Sequence, residues 1–76
     1  MIKLLYKLNQ RGLSQLSDGS FCTHSLPAGF DNFFDNFNAA YRDLELTYCR
    51  NFYTGKLLPK KQINQILATQ KIIKIA

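Results

Sequence analysis

Residues 30–37 read FDNFFDNF, a four-residue unit written twice that holds four of the chain's six phenylalanines. The aromatic and apolar positions of this stretch and its continuation have the spacing of one face of an α-helix: Phe30, Phe33, Phe34, Phe37, Tyr41 and Leu44. Asp and Asn residues fill the opposite face, and Asp31 suits a helix N-terminus because its charge complements the helix dipole. The pattern predicts a helix over residues 30–44 that packs its phenylalanines into the core. Asn and Asp are weak helix formers, so tertiary packing has to hold this helix.

The segment before the predicted helix has the patterns of β-strands. In residues 2–8 the apolar side chains alternate with lysines, which predicts a strand, although the leucines also suit a short helix stopped by Gly12. Asp18-Gly19 is typical of hairpin turns because both residues tolerate positive φ. It separates residues 13–17 from residues 20–26, which we interpret as two short strands.

The segment after the predicted helix alternates between apolar and polar residues and is rich in Thr, Tyr and Phe, which favours a strand. Four elements are predicted in order: a strand from Leu44 to Tyr53, a turn at residues 54–56, a second helix beginning at Pro59, and a closing strand over residues 71–76. Proline suits the first turn of a helix because it lacks a backbone N–H that would be unpaired there.

These elements predict an α+β fold: a small single sheet of three to five short strands with two helices packed on it, in one domain over residues 1–76. A chain of this length buries only about 60% of its unfolded surface, so its core is thin and a partner would stabilise it. There is no run of about 18 apolar residues that would span a membrane. The N-terminus lacks the continuous apolar region of a signal peptide, so we expect a cytoplasmic protein that does not bind a membrane.

Charge is segregated along the chain, whose net charge is +5. Residues 1–12 carry three bases and no acid, residues 13–47 carry all five acids and one base, and residues 48–76 carry six bases and no acid. If the two ends fold side by side, they form one basic face. We expect the binding residues to be Lys3, Lys7, Arg50, Tyr53, Lys56, Lys60 and Lys61.

The two cysteines, Cys22 and Cys49, are too few for a disulfide framework. In the cytoplasm they would stay reduced and pack as small apolar residues, whereas export would allow a single disulfide between them. Cys22 and His24 lack the spacing of a structural zinc site, and on a strand their side chains would run parallel rather than converge for nucleophilic catalysis. We therefore expect no metal and no cofactor.

Other catalytic arrangements have little support in the sequence. Asp31 and Asp35 are four residues apart on the predicted helix, but they lie on its polar face, where a solvated pair is the simpler interpretation. The four glycines are isolated, so there is no phosphate-binding loop. His24, the only histidine, is expected to be a partly exposed polar residue near a loop.

One resemblance supports a catalytic alternative. Gly19-Ser20 precedes His24, and Gly55-Lys56 precedes the second predicted helix. This order resembles small toxin ribonucleases of the HicA type, which place a catalytic histidine on a strand after a Gly-Ser pair and end with a Gly-Lys-rich segment and a short helix. The resemblance implies a ribonuclease that uses His24. Here the histidine lies farther from the Gly-Ser pair, and the Phe-rich helix has no counterpart in that family.

The sequence as a whole favours a small basic, non-enzymatic regulatory or accessory protein that binds a larger protein partner or itself. The alternative is a small nucleic-acid-binding protein or a toxin-type ribonuclease using His24. Weak nucleic acid binding is also expected from the basic face, because phosphate backbones are attracted to clustered lysines.

Overall fold

A computed structural model describes residues 2–26, 29 and 32–75. It contains a five-stranded antiparallel sheet with the strand order β4-β3-β2-β1-β5, together with two α-helices and one short 3₁₀ helix. The predicted α+β class is confirmed. The elements are β1 (Lys3–Leu8), β2 (Arg11–Gln15), β3 (Phe21–Ser25), β4 (Asn32–Phe34), α1 (Phe37–Leu46), the 3₁₀ helix (Thr47–Cys49), α2 (Lys60–Thr69) and β5 (Ile73–Lys74).

The first three strands form the meander that the alternating pattern predicts. The N-terminal segment is the strand β1 rather than a short helix. Asn9 turns the chain into β2 with a positive φ of 53°, a conformation that Asn tolerates better than most residues. The β2–β3 turn has Gly19 at a φ of 90° and is closed by a hydrogen bond from Leu16 N–H to Ser20 O of 2.8 Å. The predicted hairpin at this position is confirmed.

The prediction of one helix over residues 30–44 is wrong in its first half. Asn32–Phe34 forms β4, in which Phe33 pairs with Cys22 of β3, and α1 begins only at Phe37. The side chain of Asn36 caps this helix by accepting a hydrogen bond of 2.8 Å from Ala39 N–H. Asn is a poor helix interior residue but one of the best N-caps, so it starts the helix instead of continuing one. Phe30 and Asp31 lie outside the described residues.

The predicted strand from Leu44 to Tyr53 is also wrong. The helix α1 continues to Leu46, and the 3₁₀ helix Thr47–Cys49 follows it directly. Thr47 Oγ1 donates to Asp43 O at 3.0 Å, a bond from a side chain to the backbone carbonyl four residues back that a helical conformation allows. Ala40 and Leu44 are both fully buried and lie one helical turn apart, so Leu44 belongs to the inward face of α1 rather than to a strand.

The C-terminal predictions hold. Pro59 stands at the N-cap position of α2, as expected for a residue that lacks a donor. The predicted closing strand is β5, which pairs antiparallel with β1 and lies at the edge of the sheet. α2 has no fully buried residue and packs against the 3₁₀ helix.

The hydrophobic core lies between α1 and the sheet. Its fully buried members are Leu8, Leu13, Ala40 and Leu44. Around them is a group of half-buried rings, in which Phe37 contacts Tyr6, Phe21 and Tyr41 at centroid distances of 5.6, 5.6 and 5.5 Å. The aromatic face of the quoted stretch is therefore core only from Phe34 onward, because Phe33 is 62% exposed.

Candidate functional site

Two aromatic side chains project from the loop between the 3₁₀ helix and α2. Residues 50–58, here called the aromatic loop, expose 93% of Phe52 and 92% of Tyr53. Their ring centroids are 5.4 Å apart and their planes are nearly perpendicular, at 88°. Burying an aromatic side chain is favourable, so two adjacent exposed rings at a loop tip are a candidate contact surface.

The aromatic loop is held in one conformation by its own polar groups. Asn51 Oδ1 accepts hydrogen bonds from the N–H groups of Tyr53 and Thr54 at 2.8 and 3.0 Å. The backbone of Asn51 donates to Lys56 O at 2.7 Å and accepts from Gly55 N–H at 2.9 Å. Gly55 has a φ of 72°, which residues with a Cβ adopt at a cost. These bonds present the two rings from a tight turn rather than from a loose chain.

Basic side chains surround the aromatic loop. Arg50, Lys56, Lys60 and Lys61, here called the basic cluster, are all exposed. Arg50 pairs with Leu57 across the base of the loop, and its guanidinium donates to Gly55 O at 3.2 Å. No acidic residue occurs between residues 48 and 76, so nothing in this part of the chain neutralises the cluster.

Five of the seven predicted binding residues lie within residues 50–61, in the aromatic loop and the first turn of α2, and the other two lie on β1. Lys3 and Lys7 lie on β1, next to β2 and β5. Lys7 lines a pocket with Lys71 at the C-terminal end of α2, whereas Lys60 begins that helix. A ten-residue helix is about 15 Å long, so the two basic surfaces lie at opposite ends of α2.

Phe52 is the functional candidate that sequence reasoning missed. The strand predicted through Phe52 and Tyr53 would have buried one of the two rings. A signal for the turn was present, since Asn51 precedes the two rings and Thr54-Gly55 follows them, and Asn and Gly favour turns.

His24 is not the partly exposed loop residue that was predicted. It lies in β3, is 7% exposed and contacts Ser14, which is 1% exposed. The carbonyl of Ser25 lies 3.0 Å from His24 Nδ1 and can only accept, so Nδ1 donates to it. Nε2 lies 2.6 Å from Ser14 Oγ.

Ser14 and His24 are hydrogen-bonded as a nucleophile and its general base are in hydrolases. Both side chains are buried, so a polymer substrate does not reach them. A Cβ at Gly12, the cross-strand partner of His24, would lie 2.9 Å from Leu4 Cδ1 and 3.1 Å from His24 Cε1. The side chains of Leu4 and His24 are therefore packed tightly over this glycine. A buried hydrogen-bonded pair on a packed sheet face is a structural element, and the geometry gives no support to a ribonuclease that uses His24.

The carboxylates of the described residues serve local structure. Asp43 on α1 accepts from Thr23 Oγ1 at 2.6 Å and ties the helix to β3. Hydrogen bonds from the side chain and backbone of Ser20 hold the pKa of Asp18 below its usual value. Asp35 is exposed, and its predicted neighbour Asp31 lies outside the described residues. Within residues 2–26, 29 and 32–75, no three His, Cys, Asp or Glu side chains are grouped to hold a metal ion.

Cys22 and Cys49 are both buried thiols that form no disulfide. Cys22 lies in β3 and Cys49 at the end of the 3₁₀ helix, so they pack as small apolar residues, as predicted. Burial raises the pKa of the Cys49 thiol, the charge of Arg42 partly opposes this shift, and the Glu45 carboxylate adds to it. A thiol that is buried and protonated is a poor nucleophile.

None of the helices in the described part of the chain is both long and apolar enough to cross a membrane. No protein-family model, no curated protein and no solved structure matches this chain. Its function is therefore inferred from the geometry of its own residues.

Proposed function

We propose that this chain is a small regulatory or accessory protein that acts by binding a protein partner through the aromatic loop. The observation that carries the proposal is the near-complete exposure of Phe52 and Tyr53 on a hydrogen-bonded turn. Burying one such side chain in a partner contributes about 1.5–3 kcal/mol. Aromatic residues are among those that dominate binding energy in protein interfaces.

The fixed shape of the loop supports the proposal. The hydrogen bonds of Asn51 order the turn before any partner arrives. Ordering a loop on binding costs free energy. This loop is already ordered when the protein has folded, so binding does not carry that cost. The two rings are perpendicular to each other and together suit insertion into an apolar pocket of a protein. Successive nucleic acid bases instead stack on flat aromatic faces.

The basic cluster indicates the chemistry around that pocket. Arg50 and three lysines flank the two rings with no acid in the same part of the sequence. A partner with acidic side chains at the rim of an apolar pocket would complement both features. A second copy of this chain is disfavoured as the partner, because each copy carries a net charge of +5.

A cytoplasmic location is part of this proposal. It is supported by the two cysteines, which form no disulfide, since reducing compartments keep cysteines as thiols.

The test combines capture and reconstitution. The protein is used to capture partners from a native lysate treated with nuclease, the enriched protein is identified by mass spectrometry, and its binding is then measured with both components purified. The variant Phe52→Ser/Tyr53→Ser should keep the wild-type melting temperature and lose affinity at least about tenfold. Phe33→Ser, which removes an exposed ring from β4, is the matched control and should bind as wild type.

A salt titration separates this proposal from nucleic acid binding. Affinity for nucleic acid falls steeply with salt, with a slope in log–log form of about 0.9 per duplex phosphate neutralised. Affinity for a protein partner with an apolar centre should persist at physiological salt and weaken in Lys60→Glu/Lys61→Glu. Tight RNA or DNA binding at physiological salt, or equal partner binding by the Phe52→Ser/Tyr53→Ser variant, would overturn the proposal.

A further inference from the structure

The strand β5 leaves one edge of the sheet open, here called the β5 edge. β5 is the last strand in the sheet order, and among the described residues no strand lies on its outer side. Ile75 N–H donates to Leu5 O of β1 at 2.8 Å. Because successive residues of an antiparallel strand direct their backbone groups alternately to one side and the other, the N–H and C=O of Lys74 point away from β1. These are the groups that a further strand would bind.

Exposed isoleucines lie along the β5 edge on one face of the sheet. Ile73 is 56% exposed and Ile75 is 50% exposed, and they share a face because they are two residues apart in an extended segment. Ile73 pairs with Lys7, which also pairs with Gly12 of β2. Gly12 faces away from the core, since its neighbour Leu13 packs into the core under α1. The two isoleucines therefore lie on the sheet face that α1 does not cover.

Lysine side chains surround the β5 edge. Lys74 pairs with Tyr6, whose ring contacts Phe37 of α1, so Lys74 lies on the face opposite to the isoleucines. Residues 1–12 and 48–76 contain no acid, and the lysines at this edge form no ion pair with the described residues. Four exposed lysines lie on β1, on β5 or just before β5: Lys3, Lys7, Lys71 and Lys74.

The two faces of the β5 edge together define the sequence pattern of a strand that would fit there. Its side chains on the α1 side would lie beside Lys74, and those on the other side would lie beside Ile73 and Ile75. Since side chains of a strand alternate between the two faces, a segment in which acidic residues alternate with apolar ones matches both. Opposite charges and apolar pairs on neighbouring strands each stabilise the pairing.

A second copy of this chain is a poor occupant of the β5 edge. Pairing β5 with the β5 of another copy would bring the lysines of the two edges together, and like charges on neighbouring strands are destabilising. Lysines on a short edge strand are a common protection against such edge-to-edge pairing. The same lysines attract an acidic strand, so the charge that excludes a basic copy favours an acidic partner.

We propose that the β5 edge binds an extended segment of another protein in which acidic and apolar residues alternate, and that this segment joins the sheet as an additional strand. Its backbone pairs with the N–H and C=O of Lys74, its apolar side chains contact Ile73 and Ile75, and its carboxylates lie beside the lysines. The β5 edge follows the C-terminal end of α2, whereas the aromatic loop precedes its first residue. This second binding surface does not depend on the partner of the aromatic loop.

The test is a titration of ¹⁵N-labelled protein, at physiological salt, with a synthetic peptide that is blocked at both ends and in which Glu and Val alternate. We expect saturable amide shifts at Ile73, Lys74 and Ile75 with a dissociation constant below about 1 mM. Hydrogen exchange of Lys74 N–H should slow in the complex, because this group gains an acceptor. A peptide of the same composition with its Glu and Val residues in separate blocks should bind at least about tenfold more weakly.

Two variants of Lys74 separate the backbone contact from the charge. Lys74→Gln removes the charge and should weaken binding about threefold. Lys74→Pro also removes the outward N–H, a change that an edge strand accepts where the N–H faces solvent, and it should weaken binding at least about tenfold further. Unchanged amide shifts at Leu5 and Lys7 would show that β5 stays paired with β1 in this variant. Lys60→Gln, the control for loss of one charge, should bind as wild type.

Several outcomes would overturn the proposal. Equal binding of the alternating and the blocked peptide, or an equal loss in Lys74→Gln and Lys60→Gln, would mean general attraction to a basic protein. Unchanged exchange of Lys74 N–H in the wild-type complex would mean that no strand is added, whether or not Lys74→Pro folds. Loss of peptide binding in Phe52→Ser/Tyr53→Ser would place the peptide on the aromatic loop. Dimers in sedimentation experiments that protect Lys74 N–H without peptide would make a second copy the occupant.

Discussion

At the scale of single residues, position rather than residue type decides the role of a side chain. Phe33 and Phe37 come from the same repeated unit, FDNFFDNF, but Phe33 pairs across the sheet edge and stays mostly exposed, whereas Phe37 contacts three other rings. Asn36, between them in sequence, caps α1. A repeat in sequence has therefore not produced a repeat in structure, because the equivalent residues Phe33 and Phe37 lie in different elements, β4 and α1.

Truncating these two phenylalanines should have different costs. Phe37→Ala removes the ring that joins α1 to β1 and β3 and should destabilise the protein by about 3 kcal/mol, the low end of the range for large aromatic truncations because Phe37 is half-buried. Phe33→Ala should cost well under half as much, since most of its ring is already in water. Urea denaturation of both variants measures the difference, and equal losses of stability would mean that the two rings share one core.

At the scale of elements, the sequence signals that succeeded were local. Alternation gave β1 although its leucines also suit a short helix, Asp18-Gly19 gave the β2–β3 hairpin, and Pro59 gave the start of α2. The signals that failed were ambiguous. The Phe spacing of residues 30–37 fits a helix, but Asn36 is better suited to the N-cap of a helix than to its interior. In addition, β4 forms by pairing with β3, a long-range contact that the periodicity of the local sequence does not reveal.

The candidate site was predictable to the same extent. The basic cluster and Tyr53 are close in sequence, so the excess of basic residues in this segment was enough to single them out. Phe52 was missed because the segment was interpreted as a strand. Lys3 and Lys7 were grouped with the cluster because the sequence does not show that β1 lies beside β5 and the far end of α2.

The role of Asn36 as the start of α1 is directly testable. Asn36→Ala leaves Ala39 N–H without its 2.8 Å acceptor and should destabilise the protein by about 1 kcal/mol, the usual cost of losing an N-cap. Asn36→Asp should retain most of the stability because it keeps the acceptor. Asn38→Ala, a change within α1, is the control and should be neutral or stabilising. A thermal melt that ranks Asn38→Ala below Asn36→Ala would contradict this helix boundary.

At the scale of the whole molecule, the helix α2 separates two basic surfaces of different character. One end presents the aromatic loop with the basic cluster, and the other borders a polar pocket with two lysines. Gln70 ties the pocket end of α2 to Glu45 at the end of α1, so this end of the helix is anchored to the packed interior. The same interior contains Cys49, which is fully buried where the 3₁₀ helix packs against α2.

The burial of Cys49 makes stability depend on pH in the alkaline range. Burial raises the pKa of its thiol above the ordinary value of 9.0, with Glu45 adding to the shift. Below that value the thiol is protonated in both the folded and the unfolded chain, so its contribution to stability is fully present. As pH rises further, the unfolded chain loses this proton first, so the contribution is lost as pH rises through the folded pKa.

The free energy of unfolding should therefore fall from about pH 9 upward, and the fall should be shallower in Cys49→Ala. Cys49→Ala also loses packing, which lowers its stability by a similar amount at every pH, so the comparison rests on the slope. Tyr41, whose pKa burial also raises, titrates in both proteins and cancels in the difference. Urea denaturation at intervals between about pH 7 and 10.5 measures both curves. Parallel curves would mean that Cys49 is solvated in the folded protein and that the contact between the 3₁₀ helix and α2 is open.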